Sequence, residues 1–454
     1  MSIERRGGPQ IPSAAASSAT RMRKTRLCMA LLAALTLMPF GTACAVDVNY
    51  DIGVSLLHSD NIRLSDSKHE DETVLSPRIN FDAKQTGSTV RMDFSGSLEY
   101  LHYFRNTFGD EVRGELSGLL NWTVVPERMD FVFKDYLSRQ PVNELISFNP
   151  GNQQQVNVFI AGPSVYANFS GTTRGQLDLR YSNSYAEKTR IFNGDRYNAA
   201  ARMLHELSST GQVSGNVEAT QVRFDSSGAA SDYTRYDGYF GHTRELPSGQ
   251  LNVELGYSRV QLDQKGTSFS SPLIRGNLDW SVSPRSVISI DVRRQFSDVA
   301  EDLVAHAGVL TPSTIRHLSD PGMLVGPDLF RQRRIEIGYR FTAERLTLQL
   351  RPHYQSITYV DSTASDQSSL GGYFQADYRL RPLLTLSFLA SFENHKFKDL
   401  SRKDDDFTAN IALTDQITRH WSWRVELQHR NRRSSVVGQR YDENEADFSV
   451  SYRR

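Results

Sequence analysis

The feature that most constrains this chain is a two-residue hydrophobic period sustained over segments of ten residues or more. Val90, Met92, Phe94, Gly96, Leu98 and Tyr100 share one face of an extended segment, and Arg91, Asp93, Ser95, Ser97 and Glu99 share the other. Successive side chains of a strand point to opposite faces, so each such segment has an apolar wall and a polar wall. The pattern returns at Val112, Leu116, Leu120 and Trp122, at Leu177, Leu179 and Tyr181, and at Leu251, Val253, Leu255 and Tyr257. It continues through Ile288, Ile290 and Val292, then Ile335, Ile337, Tyr339 and Phe341, then Leu346, Leu348 and Leu350. Leu384, Leu386, Phe388 and Phe392, followed by Trp421, Trp423, Val425 and Leu427, complete the series. Strands of soluble sandwiches average about 5 to 6 residues, whereas strands that cross a bilayer need about 9 to 11. Length favours an all-β fold of the transmembrane, antiparallel, up-and-down barrel type.

Connection lengths alternate as well. Short turns are expected at Gln85–Ser88, Pro126–Arg128, Gly171–Arg174, Ser208–Gly211, Leu246–Gly249, Ser283–Arg285, Thr342–Arg345, Arg381–Pro382 and Asp415–Arg419. Between them lie longer polar loops, among them His58–Asp71, Arg139–Gln155, Ser297–Gln332 and Asn431–Arg440. Outer-membrane barrels pair short periplasmic turns with longer outer loops. Counting segments from Val48 to Tyr452 gives about 20 strands, within a range of 16 to 20 set by weak pairs such as Tyr197–Leu207 with Gln212–Phe224. Trp122 and Trp280 precede short turns, and Trp421 and Trp423 follow one, which places all four near one rim. There they read as an interfacial girdle, with ordinary packing as the alternative. Phe448, Val450 and Tyr452 alternate toward the C-terminus in the manner of a barrel-insertion signal, although the chain ends on Arg453 and Arg454.

The first 45 residues read differently. Arg21, Arg23, Lys24 and Arg26 precede an apolar run from Leu27 to Met38 and the Ala43-Cys44-Ala45 triplet, the layout of a cleavable signal peptide. Met22 is a second candidate start. Two domains follow, a leader with signal peptide over 1–45 and a barrel over 46–454. Both cysteines, Cys28 and Cys44, fall in the leader, so the exported part has no thiol for disulfides, metal sites or nucleophilic catalysis. The whole chain is formally neutral, but six of its 52 basic residues and one of its 52 acidic residues lie in the leader. The remainder is mildly acidic, which argues against nucleic acid as a partner.

If the apolar wall faces lipid, the polar wall lines the interior. The expected pore-lining residues are Arg91, Asp93, Glu99, Arg180, Asp291, Arg293, Arg334, Glu336, Arg340, Arg351, Arg424, Glu426 and Arg430, with Arg beside Glu or Asp on neighbouring strands. They would either orient passing polar solutes or only solvate a water-filled lumen. A barrel this wide is not filled by side chains alone, and Ser297–Gln332, with Pro312, Pro321, Gly322, Gly326, Pro327 and a helix-forming stretch at Leu303–Leu310, is the expected inward-folding gate.

His58-Ser59-Asp60-Asn61-Ile62-Arg63-Leu64 after the first strand, with Leu75-Ser76-Pro77-Arg78-Ile79 opening the second, resembles a family of outer-membrane β-barrel porins associated with exopolysaccharide and protein-sorting gene systems. The resemblance implies passage or export of polymers or solutes across the outer membrane, and it brings no catalytic residues. No nucleophile elbow, phosphate-binding loop, dinucleotide fingerprint or metal-gathering histidine spacing is present, so no enzyme activity, cofactor or metal is expected. The acidic clusters His69-Glu70-Asp71-Glu72 and Asp404-Asp405-Asp406 read as solvated loops, or as sites for cations bridging lipopolysaccharide. The leading expectation is an outer-membrane channel whose partners are lipid, lipopolysaccharide and an export machinery for polysaccharide. A docking protein of a polysaccharide assembly and a lipid or lipopolysaccharide hydrolase using His429 are the alternatives. A plugged receptor is disfavoured because no globular segment precedes Val48.

Overall fold

A computed structural model describes residues 46–226, 232–306, 325–360, 362 and 364–454. The leader and signal-peptide reading of 1–45 lies outside them. The strands are β1 Asp47–Ser59, β2 Glu72–Thr86, β3 Val90–Tyr103, β4 Glu111–Val125, β5 Met129–Pro141, β6 Gln153–Asn168, β7 Thr173–Ala186, β8 Gly194–Ser208, β9 Gly211–Phe224 and β10 Tyr233–Leu246. They continue with β11 Gly249–Leu262, β12 Ser268–Ser283, β13 Ser286–Ser297, β14 Phe330–Thr342, β15 Leu346–Tyr359, β16 Gln367–Arg381, β17 Leu384–Phe397, β18 Arg402–Gln416, β19 Trp421–Ser434 and β20 Tyr441–Arg453. Among the described residues an α-helix, α1, spans Val299–His306.

Each strand pairs antiparallel with its sequence neighbours. β1 also pairs with β20, from Asp51 opposite Arg453 to Ser59 opposite Glu445, so the sheet closes on itself. Closure satisfies the edge hydrogen bonds that a bilayer could not. The pair Tyr197–Leu207 and Gln212–Phe224 is a true hairpin, β8 with β9.

Register fixes which residues face outward. Leu56 stands opposite Phe448, Phe448 opposite Val425, Val425 opposite Leu413, and Leu413 opposite Leu386. Directly opposed residues share a face, so one apolar phase runs around the wall. It is the solvent-accessible phase: Leu98 is 53 % exposed and Phe240 80 %. Apolar area on this scale is untenable in water and matches the lipid-facing band of an outer-membrane barrel. Glycine serves the same surface at Gly96, where an added Cβ would lie 2.8 Å from the Phe81 ring; the missing side chain lets that aromatic lie flat on the sheet.

Strands reach further toward the long-loop end than their apolar alternation does. β17 runs to Phe397, β19 to Ser434, and β18 begins at Arg402. Asp404, Asp405 and Asp406 therefore stand in a strand rather than in or beside a solvated loop, paired through the ladder with β17 and β19. Ser76-Pro77 lies inside β2 instead of opening it. The β2–β3 ladder skips both residues between Leu75↔His102 and Arg78↔Glu99, in keeping with proline's missing N–H.

Candidate functional site: the lumen and its inserted segment

All thirteen charged residues expected to line the pore fall on the phase opposite to the apolar one. Arg91, Asp93 and Glu99 come from β3, Arg180 from β7, Asp291 and Arg293 from β13, and Arg334, Glu336 and Arg340 from β14. Arg351 comes from β15, and Arg424, Glu426 and Arg430 from β19. Their pairing departs from the expectation of cross-strand partners, because many pairs join residues two apart on one strand. Arg334 meets Glu336 at 2.8 Å, Arg293 meets Asp291 at 2.9 Å, Arg180 meets Asp178 at 3.2 Å and Arg424 meets Glu426 at 2.6 Å. Cross-strand contacts then extend these pairs, with Arg351 on Glu336 at 3.1 Å, Arg202 on Asp178, and Arg430 on Glu443 and Glu445 at 2.5 and 2.7 Å. Two residues apart on a strand means the same face, which the alternation contained but cross-strand reasoning overlooked. Charge is unevenly spread around this wall. Inward positions of β20 include Glu443, Glu445 and Asp447, whereas β14 presents Arg334 and Arg340 against one acid, Glu336.

The long-loop end of the lumen is partly filled. The β12–β13 ladder stops at Ile274↔Arg294, but β13 and β14 stay paired to Ser297↔Phe330. Freed from β12, the top of this hairpin bends inward. Phe296 packs with Val222 and Phe224 of β9, Tyr233 of β10 and Val260 and Leu262 of β11, all residues of the inner wall. Asp298 then starts α1: its Oδ1 accepts the Glu301 N–H at 3.0 Å, and its carbonyl accepts the Asp302 N–H at 3.0 Å. Glu301 and Asp302 in the first turn suit the positive end of the helix dipole.

Side chains of two strands, β8 and β10, hold this segment. Arg196 of β8 donates from Nε and Nη2 to Asp298 Oδ2, each at 3.1 Å, and Tyr233 Oη donates to the same oxygen at 2.6 Å. Arg235 of β10 donates to both Glu301 oxygens at 2.6 and 3.0 Å and pairs with Asp237 at 2.9 Å. Burial pushes the Asp298 carboxyl up, but the Arg196 charge, the Tyr233 hydroxyl and the Glu301 N–H outweigh it and hold the group below its ordinary value. Apolar contacts complete the bridge. Val299, Ala300 and Val325 join Val156 and Val158 of β6, Ala186 of β7 and Phe192 to Phe330 of β14 and Ile357 and Tyr359 of β15. Since β6 and β15 are nine strands apart on the circumference, the segment crosses the interior. A second crossing joins Glu144, between β5 and β6, to Gln367 Nε2 of β16 at 3.2 Å.

α1 begins four residues before the expected Leu303–Leu310 helix, because Asp298 supplies the cap. Residues 307–310, and Pro312, Pro321 and Gly322 of the expected gate, lie outside the described residues. Arg196, Tyr233 and Arg235 were not singled out from sequence: each is an unremarkable strand residue until a segment some 60 to 100 positions later meets it.

The outward phase carries Trp122, Trp280, Trp421 and Trp423, all at the short-turn end of β4, β12 and β19. It also carries an exception. Asp135 of β5 lies on that phase opposite Gly118 and accepts a 2.6 Å hydrogen bond from Asn157 Nδ2. Outward His429 contacts Asn444 Oδ1 at 3.0 Å, and His58 contacts Thr73 Oγ1 at 3.0 Å, so neither is oriented on a serine.

The first acidic cluster is more ordered than a solvated loop. Glu70 pairs with Arg63 and Lys68, Asp71 with Arg105, and Glu72 is fully buried, accepting N–H groups of Thr73, Arg105 and Thr107 at 2.9, 2.9 and 3.1 Å. Among the described residues no three acidic or histidine side chains converge as metal ligands. The Asp60-Asn61 pair works at the closure seam. Asp60 accepts the backbone and side-chain N–H groups of Asn444 on β20 at 2.8 and 2.7 Å. Asn61, fully buried, donates to the carbonyls of Ser65 and Asp442, each at 2.9 Å.

Residues 345–454 match the family described as "Putative beta-barrel porin 2". No curated protein matches the chain. Among solved structures, the outer membrane protein OpdK from Pseudomonas aeruginosa is 10 % identical, covering 90 % of this chain and 98 % of its own, with a TM-score of 0.36. The FrpB iron transporter from Neisseria meningitidis is 11 % identical over 90 % of this chain and 83 % of its own, at 0.42. OccAB4 from Acinetobacter baumannii is 9 % identical over 91 % and 99 %, at 0.39. The chain folds as a closed antiparallel β-barrel with the lipid-facing apolar wall of an outer-membrane protein.

Proposed function

We propose that this barrel is a gated channel for polar solutes or saccharide polymers, with the segment around α1 as its gate. The observation that carries the reading is the inserted segment itself, which is fastened by Arg196, Tyr233 and Arg235 across a lumen whose wall is lined with charge. Twenty strands enclose more space than inward side chains fill, so what closes the interior is the loop, and what the loop uncovers is water. Paired arginines and carboxylates suit a hydroxyl-rich cargo because they offer donors and acceptors without a strong net field. This chemistry supports a role in exopolysaccharide export, tested in the native host by deleting the gene and measuring surface polysaccharide. The channel itself is tested in planar bilayers. The intact protein should give small or intermittent conductance, and a variant with 298–329 replaced by a short turn should give a large steady one. A folded barrel that conducts in neither form would refute the channel.

A further inference from the structure

Outward-facing charge is scarce at the long-loop end of β12 to β15, with one exception. Arg294 of β13 and Arg333 of β14 are directly opposed in the ladder, the last outward pair before the hairpin turns inward at Phe296 and Arg331. Like charges directly opposed on one face destabilise a sheet. Here no carboxylate relieves them: among the described residues neither makes an ion pair, and the Nε of Arg294 is buried without a hydrogen-bond partner. Below them the wall is apolar, with Ile335 and Ile337 42 % and 44 % exposed.

Their height is informative. Arg294 lies six residues above Ile288, the residue opposite Trp280 of the short-turn rim. On β19 the outward face turns polar at His429, also six residues above Trp423. Six residues span about 20 Å along a strand, or about 15 Å of height at the tilt of such barrels, and the long flexible stems carry the guanidinium groups on toward the upper boundary of the lipid band. Planar guanidinium groups bind phosphate oxygens in pairs, and a phosphate between Arg294 and Arg333 would turn their repulsion into two favourable contacts.

We infer that Arg294 and Arg333 form a site on the outer wall for the phosphorylated headgroup of an outer-leaflet lipid. The site is independent of the channel reading, since it faces away from the lumen. The test titrates the full chain in detergent with diphosphorylated lipid A, dephosphorylated lipid A and inorganic phosphate, with binding read by native mass spectrometry. The diphosphorylated lipid should bind at least tenfold more tightly than either other probe. Arg294→Gln with Arg333→Gln should remove that advantage while the boiling-dependent shift in gel mobility persists, and lysine at both positions should restore part of it. Should the double variant fail to fold, Arg333→Gln alone should still weaken binding several-fold. Equal binding of the dephosphorylated lipid, or undiminished binding by a folded variant, overturns the site. Inorganic phosphate binding as tightly as the lipid overturns the assignment to a lipid.

Discussion

Asp298→Ala should unfasten the inserted segment while leaving the barrel intact. Three losses coincide at this side chain. Its Oδ1 caps α1, and removing a cap costs about 1 kcal/mol. Its Oδ2 satisfies the Tyr233 hydroxyl, and a buried hydroxyl left without a partner costs about 1 to 3 kcal/mol. It also neutralises Arg196, and orphaning a buried ion-pair partner costs about 3 to 5 kcal/mol. These losses overlap, so a net of about 4 kcal/mol against the inserted position is the working figure. Because about 1.4 kcal/mol is a factor of ten, the equilibrium between inserted and released forms should move by roughly a thousandfold. Single-channel recording reads this as longer open times or a higher conductance level. Arg196→Met combined with Asp298→Ala should cost less than the two changes summed, because the second removes no further pairing. A folded Asp298→Ala variant whose conductance and open probability equal those of the parent would refute the latch.

Acid should act on the same latch. Asp298 is held below its ordinary value near 3.8, so its contribution is present above that pH and lost as pH falls through the lower folded value; opening should rise at pH below about 4 and do so less in Asp298→Asn. Leu98→Arg on the lipid face should destabilise the folded barrel in lipid by about 2 to 4 kcal/mol in urea titrations, and Ser97→Arg on the inner face by far less; equal effects would show the phase assignment wrong. Asn61→Ala strands the Ser65 N–H and the Asp442 carbonyl at the seam and should lower stability by about 2 to 4 kcal/mol, read as an earlier thermal midpoint. Tryptophan fluorescence should be quenched more by lipids labelled near the headgroup than by lipids labelled near the chain ends, and the reverse order would remove the girdle.

The wall was legible in the sequence because alternation is a local signal that needs no knowledge of partners. Val90 to Tyr100 declares two faces by itself, and each neighbouring strand repeats the declaration. The signal fades above the lipid, where both faces become polar, and for that reason the last residues of β17 and β19 and the first of β18 looked like loop. Glu72 shows the same limit, for a carboxylate in a polar run looks solvated until the backbone donors of Thr73, Arg105 and Thr107 are found around it. The inserted segment was visible as a long loop rich in proline and glycine, but its fastening was not. A contact such as Arg196 with Asp298 joins positions 102 apart, and nothing in either local sequence names the other. Asp135 is the converse case, a residue that breaks the alternation and that only its partnership with Asn157 makes tolerable on the lipid face.

Closure of β1 on β20 also governs how the molecule can be made. The N-terminal edge has an incomplete set of partners until the final strand is delivered, when Tyr50 and Arg454 exchange hydrogen bonds at 3.1 and 3.0 Å. Through all the intervening synthesis and translocation that edge is open to pairing with any other extended chain. Shielding it is therefore a task for escorts in the cell, and overexpression that outruns them should trap polypeptides joined edge to edge.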